Sequence, residues 1–164
     1  MPDFASQRLQ SQAVYQLVAE INELFERLVV ELPAGTAFVQ LRKVSVGTVI
    51  EVKPANPASV DFGVLADDFE LYSLGIDRSW WDFPWERRYR NGEKDILTEV
   101  AEMARAVIAG NCEQTRGPFW LVGKIHVGEY TYKVTTLPKL PIPPFWTRKY
   151  APYVVGSEVN NHCR

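Results

Sequence analysis

The residues best able to do chemistry or to hold a partner gather between positions 61 and 90. Asp61, Asp67, Asp68, Glu70 and Asp77 put five carboxylates into seventeen residues that contain no lysine or arginine. Paired carboxylates can act as acid and base or hold a divalent cation; on a hairpin they can also form a negative docking face. Directly behind them, Arg78-Ser-Trp-Trp-Asp-Phe-Pro-Trp-Glu-Arg-Arg-Tyr-Arg90 carries three of the five tryptophans and four arginines. Tryptophan and arginine are the types most enriched at binding hot spots. Trp80, Trp81 and Trp85, with Arg87 and Arg88, therefore join the five acids as candidate partner-binding residues. Two roles stay open for the rings, as a plug at the end of the core or as anchors for a partner, because neighbouring side chains on a strand point opposite ways.

Catalytic signatures are missing. His126 is the only histidine outside the C-terminal His162, and no group at fixed spacing is there to orient it as a base. Cys112 and Cys163 lie fifty-one residues apart, which is neither a zinc spacing nor a disulfide framework, and they read as free thiols. There is no phosphate-binding glycine loop, nucleophile elbow or His-Glu-x-x-His helix. The sequence thus names no catalytic residue, no metal set and no cofactor.

The whole chain narrows the partner. A net charge of −2 and a pI near 5.7 supply no basic field for nucleic acid or an anionic membrane. With 46% apolar and 23% charged residues over 164 positions, the chain should fold as one α+β domain over 1–164. The N-terminus has no signal-peptide pattern, and no apolar run approaches the roughly 18 residues of a membrane span, so a cytoplasmic protein is expected.

The elements that position the candidates follow from periodicity. Val14, Leu17, Val18, Ile21, Leu24, Phe25 and Leu28 mark one face of a helix over 11–32, closed by Pro33 and Gly35. Four strands follow in TAFVQLRKV, SVGTVIEVK, ASVDFGVLA and DFELYSL, with Glu51, Lys53 and Asp61 on a solvated face. The tryptophan segment reads as a loop broken by Pro84. Ile96 to Ile108 form a second helix capped at Gly110. Residues 119–127 and 130–136 form a hairpin turning at Gly128-Glu129. The expectation is a curved, mostly antiparallel sheet of about six strands in the order α-β-β-β-β-α-β-β, with both helices on one face. The proline-rich tail from Leu137 should run extended and packed on the body.

The run Phe69-Glu-Leu-Tyr-Ser-Leu-Gly75, the tryptophan segment, and Glu99-Val-Ala-Glu-Met-Ala-Arg-Ala-Val-Ile-Ala-Gly-Asn-Cys-Glu113 together resemble small immunity proteins of bacterial polymorphic toxin systems. The resemblance spans residues 69–136. It implies a non-catalytic protein that binds one toxin domain with a basic surface and blocks it. Two other readings come from the residues themselves: a small hydrolase using Asp or Glu in a pocket closed by the aromatic segment, and an adaptor docking through Leu-Pro-Lys-Leu-Pro-Ile-Pro-Pro.

Overall fold

The computed structural model describes residues 4–67, 72–76, 79–82, 96–118, 121–135 and 144–155, with the backbone alone at 4–14, 67, 72–76, 79–82, 96 and 134–135. Helix α1 spans Phe4–Val30. It starts before the apolar stripe because no glycine or proline interrupts the chain between Pro2 and Pro33. Ile21, Phe25 and Leu28, at helical spacing, are its buried face. Strands β1 (Ala37–Val44), β2 (Gly47–Pro54), β3 (Phe62–Asp67), β4 (Tyr72–Ile76) and β5 (Ser79–Asp82) follow. Then come α2 (Ile96–Ile108) and strands β6 (Cys112–Arg116), β7 (Leu121–Val127), β8 (Tyr130–Thr135) and β9 (Trp146–Lys149).

The fold is α+β and every strand pairing is antiparallel. The strands divide into two sheets, β1-β2-β3-β4-β5 and β8-β7-β6-β9, where the sequence suggested one of about six strands. The chain leaves the first sheet after β5 and builds α2 before β6, so β6 finds its partners in the strands that follow it. Strands β5, β6 and β9 are additional, and the expected loop at the first tryptophans is the edge strand β5. Each is four or five residues long and too short to show an apolar alternation.

Helix α1 lies against β1, β2 and β3, α2 lies against β7, and the two helices touch. Ile50 and Val52 of β2, with Phe62 and Val64 of β3, face Phe25 and Met103 in one buried cluster. The Phe25 and Phe62 rings meet edge to face, 5.8 Å apart, an arrangement that adds about 1 kcal/mol to their burial. No helix among the described residues is long and apolar enough to cross a membrane.

The stretch after β9 ties the layers together. Tyr150 N–H donates to Cys112 O, Ala151 N–H to Ala58 O and Tyr153 N–H to Ile108 O. The Tyr153 hydroxyl donates to Val60 O at 2.7 Å, while Pro152 O accepts from Ser59 Oγ at 2.9 Å. The tail passes so close to the α2 cap that a Cβ on Gly110, at φ +78°, would stand 2.7 Å from Pro152 N. Residues 137–143 and 156–164 of the expected tail lie outside the described residues.

Candidate functional site

The face of the five-stranded sheet turned away from the helices follows from register, since directly opposed residues project to the same side. Glu51 of β2 stands opposite Gly63 of β3, Gly63 opposite Gly75 of β4, and Gly75 opposite Trp80 of β5. One row along, Arg42, Val49, Leu65, Ser73 and Asp82 are aligned. Asp67 lies on the same side, opposite Gly47. The core row is the alternate one, in which Leu41, Ile50, Val64, Leu74 and Trp81 are aligned. Register therefore separates the two adjacent tryptophan positions, with 81 in the row of the buried Ile50 and Val64 and 80 in the outer row.

Register thus sets positions 67, 80 and 82 on the side of Glu51 and Asp61, where Arg42 and Lys53 are the cations among the described residues; towards its middle Val49 and Glu51 are only 4% and 5% exposed. Asp61 is not a free charge: its Oδ2 accepts from Lys53 Nζ at 3.2 Å. The same Lys53 lies 3.7 Å from Glu51 Oε2, and Arg42 lies 3.7 Å from Glu51 Oε1. Glu51 departs from the expected solvated alternation, being only 5% exposed, and its Oε2 has no hydrogen bond. Leaving a buried carboxylate oxygen without a donor costs stability. Phe38, on the same side at the sheet edge, is 55% exposed. Of the other candidates, Asp68, Glu70, Asp77, Trp85, Arg87 and Arg88 lie outside the described residues. Asp82 escaped the sequence reading because Pro84 made the segment look like a loop; a strand drawn through Ser-Trp-Trp-Asp would have put Asp82 beside Trp80 by alternation.

The second sheet has the opposite outer face. Lys149, Glu113, Lys124 and Lys133 are aligned across β9, β6, β7 and β8. Lys124 Nζ donates to Glu113 Oε1 at 2.6 Å. That bond holds the Glu113 carboxyl below the usual carboxylate range against the opposing effect of burial, with the charges of Lys124, His126 and Lys149 adding to it. His126 Nδ1 lies 3.0 Å from Thr131 Oγ1, so its partner is a hydroxyl. No three His, Cys, Asp or Glu residues among those described converge on a metal position. A groove of about 320 Å³ opens at the C-terminal ends of the helices, lined by Leu28, Leu32, Ile108, Ala109, Pro152 and Val154 with Glu31 and Arg105. None of the sequence candidates lines it.

No family of proteins, no characterised protein and no solved structure matches the chain.

Proposed function

We propose that this chain is a non-catalytic binding protein of the immunity kind, which neutralises a bacterial toxin domain by covering a basic surface of that domain inside the cell. The reading is carried by the register of β2 to β5, which gathers Asp61, Asp67, Asp82 and position 80 on one side of a sheet, away from the helices. Among the described residues Arg42 and Lys53 are paired with Glu51 and Asp61, so the acids at positions 67 and 82 would leave that side in negative excess, which steers a basic partner during encounter. A tryptophan among them supplies a large, stiff anchor, and such anchors chiefly slow dissociation.

The test is capture of proteins from the source cells on immobilised chain, at low and at high salt. The proposal expects one basic protein in equimolar amount, released as salt screens the attraction. Retention of a small molecule or metal with no protein would sink it.

A further inference from the structure

Among the described residues, strand β9 lies at an edge of the four-stranded sheet and pairs with β6 alone. Every residue from 144 to 149 is exposed, so neither side of this strand is covered. Phe145 is 69% and Trp146 40% exposed. Arg148 and Lys149 complete the stretch, which contains no acid. The strand is four residues long and ends in two cations, which discourages pairing with a neutral or basic strand but not with an acidic one.

The backbone groups available at that edge follow from the ladder. Tyr150 N–H donates to Cys112 O, and Phe145 N–H is taken by Arg116 O. Antiparallel pairing alternates between bonds to one neighbour and bonds to the other side. Counting back from Tyr150, which the register sets opposite Cys112, residues 148 and 146 turn to β6 and the N–H and C=O of Thr147 and Lys149 turn outward; Phe145, whose N–H reaches the residue opposite Trp146, breaks the alternation as a bulge does. The charges point the same way. Lys149 stands opposite Glu113, but that carboxylate is bonded to Lys124 at 2.6 Å, and Lys124 in turn stands opposite Lys133. The row therefore has three cations to one acid. On the opposite side, Arg148 lies over the Tyr150 ring, 5.2 Å from its centre.

We infer that the open edge of β9 receives an extended acidic segment of a partner protein as an additional strand. The outward groups of Thr147 and Lys149 supply the main-chain bonds, and acidic side chains of the added strand meet Lys149 on one side and Arg148 on the other. Phe145 and Trp146 flank it as apolar contacts. A second copy of this chain fits poorly, because two β9 strands side by side would bring four cations into one short ladder with no acid between them. This surface is separate from the acidic face of the first sheet, and its occupant has the opposite charge.

The experiment titrates the full chain into a fluorescently labelled ten-residue peptide of alternating glutamate and threonine, and into its lysine-threonine counterpart, and reads anisotropy. The glutamate peptide should bind at least about tenfold more tightly, with affinity falling as salt rises. Thr147→Pro removes an outward N–H while sparing the β6 ladder, a substitution that edge strands tolerate. It should abolish binding with the far-UV circular dichroism unchanged, and Lys149→Glu should weaken binding about tenfold with the edge bonds intact. Equal affinity for the two peptides, no binding of either, or wild-type binding by Thr147→Pro would overturn the inference. So would a wild-type dimer dispersed by Thr147→Pro, since the occupant would then be a second copy.

Discussion

Single residues set the pH limits of this fold. The Cys112 thiol is 2% exposed, and burial pushes its pKa up to about 12. Burial, then the charge of Asp61 and then Cys112, holds the Tyr153 phenol well above its ordinary value. Both groups ionise more readily in the unfolded chain, near about 8.5 and 10. Their contribution is complete below those values and is lost as pH rises toward the folded ones. The urea midpoint should therefore fall between about pH 8 and pH 10.5, and Cys112→Ala should shrink that fall; an unchanged alkaline loss would put the effect elsewhere. Glu113 has the opposite sign, since Lys124 holds its carboxyl low. Its stabilisation is present above the unfolded value of about 4.3 and is lost as pH falls through the folded one. Glu113→Gln should be less stable than wild type at neutral pH, and the two urea midpoints should converge in acid.

Among the elements, two glycines give a controlled comparison. Gly35 and Gly110 both have φ near +78°, but a Cβ on Gly35 meets nothing within 4 Å, whereas one on Gly110 would collide with the backbone at Pro152. Gly35→Ala should cost only the left-handed conformation, about 1 kcal/mol. Gly110→Ala should cost clearly more, because the tail must move and strain the bonds of Ala151 and Tyr153; equal losses in a denaturation series would show that the tail yields freely. The two tryptophan positions form a second pair. Register sets 81 in the core row and 80 in the outer row, so Trp81→Ala should lower the melting temperature by several degrees more than Trp80→Ala. The reverse order would move the tryptophan of the binding face to position 81. The long elements were legible because periodicity needs length: α2 runs from Ile96 to Ile108 as read, and Gly128, at φ +57°, turns β7 into β8. Strands β6 and β9 were not legible: β9 takes its place from β6, about thirty residues earlier, and β6, although it pairs with the next strand, has too little pattern to show it. Cys112-Glu-Gln-Thr-Arg has no apolar alternation of its own, and its central Gln114 is buried, with its Oε1 accepting from the Tyr150 hydroxyl at 2.6 Å. Likewise, local pattern drew Glu51 on a solvated face, whereas the folded sheet buries it.

Across both layers, two sheets share one core, and register sets positions 67 and 82 on the side of Asp61 in one and Lys124, Lys133 and Lys149 in one row of the other, although the net charge is only −2. A composition so near neutral conceals that division, since register alone sorts Asp61, Asp67 and Asp82 from Lys124, Lys133 and Lys149. On the proposed function, a basic protein binds the side of β2 to β5 that holds Asp61. The most direct measurement compares the affinity of the captured basic partner, by calorimetry, for wild type, for Asp67→Lys with Asp82→Lys, and for Lys149→Glu. The aspartate pair should lose at least about a hundredfold, Lys149→Glu should keep its affinity, and melting temperatures should stay within a few degrees of wild type. Unchanged affinity for the aspartate pair, or a loss confined to Lys149→Glu, would contradict the proposed function.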